Sequence, residues 1–281
     1  MGRTPVTCPQ NGTLADVAEQ LITQNRTASM VVDVRGSVVG AMTENDILQA
    51  YMIDVPKDYS VDAWLRGDCA RLPNFIVGAL TVHPTTTLEA ASSVMRAQIL
   101  GDYACHHLLV KDESWPYRGI LSALDLARAI CKWGSTSRFG GRRVSDVMKP
   151  RSVLPVCPQG ATLSQAVQEM LLARQNCVLV ADGDPSGSGV LGLVTPRDIL
   201  RAFMEKVPGS ALAVNWMHGL RSRWERRTIR SDAPLAEAAE VMASNNVHHL
   251  AVISPRPGME EVVGLVSSAD IAYSLVGAGA Q

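Results

Sequence analysis

Four aspartates stand at matching places along this chain, each three residues after a Ser or Thr: Thr43/Asp46, Ser122/Asp125, Thr195/Asp198 and Ser267/Asp270. A Ser or Thr that opens a helix presents its hydroxyl, and the unpaired amides behind it, to any anion that approaches. The aspartate has a plainer use as well, because an acidic residue in the first turn favours the helix dipole and completes a capping box. Two histidine doublets, His106-His107 and His248-His249, each lie just ahead of a short apolar run. As proton carriers they suit acid–base work, and as half-buried polar residues before a strand they need no function at all. Adjacent residues of a strand point to opposite faces, so the doublets are poor metal ligands. No nucleophile elbow, phosphate-loop, metalloprotease or dinucleotide-binding fingerprint accompanies them.

The elements that must position these residues repeat four times. The segments Gly40-Ala-Met-Thr43-Glu-Asn-Asp46-Ile47, Gly119-Ile-Leu-Ser122-Ala-Leu-Asp125-Leu126, Gly192-Leu-Val-Thr195-Pro-Arg-Asp198-Ile199 and Gly264-Leu-Val-Ser267-Ser-Ala-Asp270-Ile271 share one pattern, and their aspartates lie 79, 73 and 72 residues apart. A near-constant period marks an internal duplication. Upstream, each copy has a leucine opening an Ala/Val/Met-rich stretch; Leu235, Ala238, Ala239 and Met242 trace one face of a helix. Short apolar runs follow, among them Met30-Val-Val32, Leu108-Leu-Val110, Val178-Leu-Val180 and Leu250-Ala-Val-Ile253, which read as buried strands. The repeating unit is therefore expected to be strand–helix–strand–strand–helix, an α/β fold with the Ser or Thr at the start of the last helix.

Bulk composition agrees. With 281 residues the chain has room for two domains, 47% hydrophobic residues supply a core, and only 5% are aromatic. A net charge of −1 argues against nucleic acid as a partner, since phosphate neutralisation needs a basic balance. Six scattered cysteines without a C-x-x-C pair suggest buried thiols in a reducing compartment. No apolar run is long enough to span a membrane, and Met1-Gly-Arg-Thr-Pro5 is not a secretory signal. A cytoplasmic protein is the expectation.

At the four G-h-h-[S/T]-x-x-D-h segments the chain resembles the CBS-domain family, named after cystathionine β-synthase, over about residues 4 to 276. The segments Val144-Ser-Asp-Val-Met148-Lys-Pro and Val214-Asn-Trp-Met217 look like the lead-ins that open such repeats; the first repeat has no obvious one. The resemblance implies that repeats pair into Bateman modules, here residues 1–135 and 136–281. Two modules in one chain are similar to the disc-shaped, pseudo-fourfold gamma subunit of AMP-activated protein kinase.

In family members that bind adenosine ligands, the Ser/Thr and Asp of this motif meet the ribose hydroxyls and a neighbouring phosphate. The resemblance thus implies ligand-contacting roles for Thr43, Asp46, Ser122, Asp125, Thr195, Asp198, Ser267 and Asp270, and phosphate-contacting roles for His106 and His248. Arg197, beside Asp198, has the forked guanidinium that suits phosphate, whereas Glu44 in repeat one disfavours it. Repeat three is accordingly the first choice for a phosphate-bearing ligand. The arginines at 138, 142, 143 and 151, and at 221, 223, 226, 227 and 230, are either solvated loops or a positive rim. The expected function is non-enzymatic: binding of AMP, ADP, ATP or S-adenosylmethionine, with no required cofactor or metal. The expected partner is a kinase or other regulated enzyme, or a second copy of the chain. A scaffold with vestigial clefts, and a regulatory fragment of a larger enzyme or transporter, are the alternatives.

Overall fold

The computed structural model describes residues 6–68, 81–97, 106–112, 119–132, 141–183, 189–219, 227–255 and 261–275. Four units of one topology follow each other. The first is β1 (Thr7–Pro9), α1 (Leu14–Thr23), β2 (Ala28–Val32), β3 (Val38–Thr43) and α2 (Glu44–Met52), followed by the short helix α3 (Val61–Arg66). The second is β4 (Thr81–Val82), α4 (Leu88–Ala97), β5 (His107–Val110), β6 (Gly119–Ser122) and α5 (Ala123–Lys132). After β7 (Lys149–Pro150) comes the third: β8 (Val156–Pro158), α6 (Leu163–Leu172), β9 (Val178–Ala181), β10 (Val190–Val194) and α7 (Pro196–Met204). After β11 (His218–Gly219) comes the fourth: β12 (Thr228–Arg230), α8 (Leu235–Asn245), β13 (His249–Ile253), β14 (Val262–Ser267) and α9 (Ser268–Ser274).

In each unit the first two strands run parallel, with the first helix as their crossover, and the third strand returns antiparallel. The first helices start where a Thr or Pro breaks the extended chain; Thr13 and Thr162 each close a capping box. The apolar face of each helix lies on its sheet, as Leu14, Val17, Ala18 and Leu21 do in α1.

The lead-in segments cross over. The strand β7, which precedes the third unit, pairs with β14 of the fourth, and β11, which precedes the fourth, pairs with β10 of the third. The sequence reading gave these segments to the repeats they precede in the chain, but each completes the sheet of the other. This explains the signature glycine: a Cβ on Gly264 would stand 2.5 Å from the Lys149 carbonyl. In the first unit Leu65 of α3 lies over Gly40 instead, 3.3 Å from where a Cβ would be.

The units close into a disc. Helices α1 and α2 of the first pack on α6 and α7 of the third, and α4 and α5 of the second pack on α8 and α9 of the fourth. One apolar core runs through the first and third units, from Leu14 and Ile47 to Val167 and Ile199. Sheet contacts join the other pairs, β2 with β6 on one side and Leu179 and Leu193 with Ala251 and Leu265 on the other. Emptying such positions costs about 2–5 kcal/mol for a buried leucine, so the relative placement of the units is held by the same packing that folds them. No helix among the described residues is long and apolar enough to cross a membrane.

Candidate functional site

The four signature carboxylates share one local geometry. In each, Oδ2 accepts from the backbone N–H and the side-chain hydroxyl of the Ser or Thr three residues earlier, at 2.6–3.0 Å. The capping use of the motif is therefore realised in every repeat, on one oxygen. Any further chemistry falls to Oδ1, and there the repeats diverge.

In repeat one, Asp46 is fully buried and its Oδ1 accepts from the Trp64 indole Nε1 at 3.1 Å. In repeat four, Asp270 Oδ1 lies 3.9 Å from Lys149 Nζ, which donates to Gln175 Oε1 at 2.7 Å. In repeat three, Asp198 is buried on α7 against the first unit. Its neighbour Arg197 donates to the carbonyls of Leu21 at 2.9 Å and Arg26 at 2.8 Å, and pairs with Glu44 at 2.7 Å. Burial pushes the Glu44 carboxyl up to about 6, against the opposing pull of Arg197. Arg197 and Glu44, read from the sequence as opposite influences at two separate sites, are one ion pair across the interface of repeats one and three.

Repeat two is different. Among the described residues β6 is a sheet edge, in the order β4–β5–β6. Its motif lines a small, partly open cleft at the junction of repeats one, two and four. Ser122 and Asp125 form one wall, Ala28, Ile120 and Leu124 give it apolar surface, and Arg26, Arg128, His107 and His248 supply nitrogen donors. Arg128 donates to Asp125 Oδ1 at 3.3 Å and reaches across to Asn246 Oδ1, the residue that ends α8 in a left-handed turn. This cleft lies at repeat two; in repeat three, the first choice from the sequence, Arg197 is held by Glu44 and two carbonyls of the first unit.

The histidines converge beside this cleft. His107 Nε2 shares a 2.6 Å hydrogen bond with the Thr27 hydroxyl, and His248 Nδ1 shares one of 3.3 Å with Ser268. Burial lowers His106 to about 3, with His107, His249 and Lys149 adding to the effect. Burial likewise lowers His107 to about 4, partly offset by Asp125, and His249 to about 4, helped by Lys149. His248 falls well below its ordinary value, for burial first and then for the nearby charges of His249, His107, Arg197 and His106. Burial thus favours the neutral form of all four rings.

Strand register aligns the doublets with the other repeats. His107 pairs with Ser122 and His249 with Ser267, while in repeat one it is Ala28 that pairs with Thr43. The counterpart of each doublet in repeat one is thus Thr27-Ala28, and Thr27 is the residue that meets His107. Sequence reasoning also missed Arg128, Lys149 and Trp64. Trp64 had a signal: Val61-Asp-Ala-Trp64 parallels Ala213-Val-Asn-Trp216. The four described cysteines are free thiols, and Cys69 and Cys105 lie outside the described residues. Of the basic runs, Arg138, Arg221, Arg223 and Arg226 also lie outside them. Arg142 and Arg143 donate to the carbonyls of Ser274 and Asp232, and Arg230 pairs with Asp232.

The CBS domain model matches residues 1–53, 76–132, 144–205 and 226–277, so this chain belongs to the CBS-domain family. It is similar in structure to a Methanocaldococcus jannaschii protein proposed as an archaeal homologue of g-AMPK, at 14% identity over 97% of this chain and 96% of that one, TM-score 0.73. It is similar also to a conserved protein of Pyrococcus horikoshii, at 21% identity over 98% of this chain and 97% of that one, TM-score 0.58. Both likenesses are of fold. No curated protein matches the sequence.

Proposed function

We propose that this chain is a non-catalytic regulatory module that binds an adenosine-containing ligand at the repeat-two cleft and passes its occupancy to a partner protein. The observation that carries the reading is Asp125, the signature carboxylate whose outer oxygen faces an open cleft lined by apolar groups and by nitrogen donors. Ribose hydroxyls would donate to Asp125 Oδ1 and take the place of Arg128, which is then free for a phosphate. The adenine ring finds apolar contact at Ala28, Ile120 and Leu124, and an anion finds Arg26, Arg128, His107 and His248. His106 and Lys149 stand behind them as further phosphate partners.

The ligand class is AMP, ADP, ATP or S-adenosylmethionine, and the modules are residues 1–135 and 136–281. Because the cleft draws on three repeats, a ligand that contacts all three favours one relative arrangement, and a partner such as a kinase reads that arrangement. The setting that fits is the cytoplasm.

Calorimetric titration with AMP, ATP and S-adenosylmethionine tests this, on the natural chain and on Asp125→Asn. Micromolar binding that the substitution weakens at least about tenfold, 1.4 kcal/mol, supports the site. Undiminished binding by the variant moves the ligand elsewhere. No heat and no thermal shift with any ligand turns the reading toward a scaffold.

A further inference from the structure

We infer that Trp64 is a built-in plug that closes the repeat-one motif to ligand, so that the four signature sites are unequal by construction of the chain itself. The inference rests on the adenosine-ligand reading above and names which repeat is excluded from it. Asp46 and Trp64 are both fully buried. The carboxylate is satisfied on both oxygens, by the Thr43 amide and hydroxyl at 2.8 Å each and by the indole Nε1 at 3.1 Å. An indole N–H can only donate, and it supplies Oδ1 with the hydrogen bond that a ribose hydroxyl would supply. Its ring fills the space beside the motif, and the adjoining Leu65 covers Gly40 at the other end of the signature.

The plug is anchored. Ser60 caps α3 and bridges to Thr13, and two backbone bonds of 3.0 Å, Leu14 N–H to Tyr59 O and Val61 N–H to Gly12 O, tie the segment to the first unit. A ligand entering here would have to expel a large apolar side chain from the core and leave its place empty. In repeats two and four the group at Oδ1 reaches solvent: Arg128 is 25% exposed in repeat two, and in repeat four Lys149 is 37% exposed and 3.9 Å away.

Trp64→Ala removes the plug and is expected to raise the number of AMP molecules bound at saturation by one; unchanged stoichiometry in the folded variant overturns the inference. Loss of so large a core side chain can unfold the protein, so three further measurements decide independently. Asp46→Asn and Trp64→Phe are expected to lower the melting temperature of the ligand-free protein by about 3 °C or more, with AMP stoichiometry and affinity unchanged. Asp125→Asn is expected to do the reverse, weakening AMP at least tenfold. In 15N-labelled protein the Trp64 indole proton is expected to resist hydrogen exchange and to keep its position at saturating AMP. Loss of one AMP equivalent in Asp46→Asn, or an indole proton that exchanges freely or shifts with AMP, defeats the plug. Failure of the natural chain to bind any AMP defeats the ligand reading instead, and the exchange and melting data still decide whether Trp64 seals Asp46.

Discussion

Replacing His249 by glutamine should flatten the acid limb of the protein's stability. His249 stands among His106, His248 and Lys149, and burial, aided by Lys149, lowers its pKa from the ordinary 6.5 to about 4. A lowered histidine pKa means that the unfolded chain binds more protons than the folded one between pH 4 and 6.5, so stability rises with pH through that window and levels off near 7. Two and a half pKa units correspond to about 3.4 kcal/mol in full; between pH 7 and 5 the share of this one group is about 2 kcal/mol, less any screening at a half-buried ring. Glu44 works in the opposite sense, since its raised pKa of about 6 adds stability as pH falls from about 6 toward 4.5. That contribution is common to both proteins and cancels in the comparison. Urea unfolding of the natural chain and of His249→Gln at pH 7, 6 and 5 supplies the measurement. The variant should lose about 2 kcal/mol less than the natural chain over that range. Equal losses would refute the argument that the ring is held neutral by its surroundings.

Other consequences can be measured alongside. Phosphate arriving at neutral histidines raises their pKa, so AMP binding should take up protons; calorimetry in two buffers of different ionisation enthalpy should give unequal heats, with uptake growing from pH 8 to pH 6. Arg197→Met leaves Glu44 buried without its cation, a loss of about 3–5 kcal/mol, and the double variant with Glu44→Gln should recover most of the lost melting temperature. Gly264→Ala puts a methyl against the Lys149 carbonyl and should cost about 1–3 kcal/mol as β7 is pushed from β14. Arg128→Ala should weaken ATP more than adenosine if this guanidinium moves to phosphate, and equal effects on the two would confine it to a structural role at Asn246.

Some of the molecule was legible in the residues alone. The fourfold G-h-h-[S/T]-x-x-D-h period, the apolar runs and the i, i+3, i+4, i+7 face of Leu235 to Met242 fix the unit and its count. Local rules govern these features: helix capping, the two-residue period of a strand and the 3.6-residue period of a helix act within a few positions of the chain. The capping bond from Ser or Thr to Asp Oδ2 followed from sequence spacing in all four repeats for the same reason.

What became of Oδ1 was decided only by the assembled structure. Trp64 lies 18 residues beyond Asp46 in the chain and Lys149 lies 121 before Asp270, and no single helix or strand spans either separation. Arg197 meets Glu44, Leu21 and Arg26 more than 150 residues away because α7 packs on the first unit. The four copies therefore carry one local instruction and meet four different surroundings. The sequence determined that this protein is a chain of CBS repeats with capped, carboxylate-bearing helix starts; the packing of units against one another decided that Trp64 meets Asp46 in repeat one, that Arg197 of repeat three reaches Glu44, that Lys149 nears Asp270 in repeat four, and that Asp125 of repeat two lines a cleft between three repeats. Burial and long-range contact set those outcomes, and both are properties of neighbours in space that no spacing along the chain encodes.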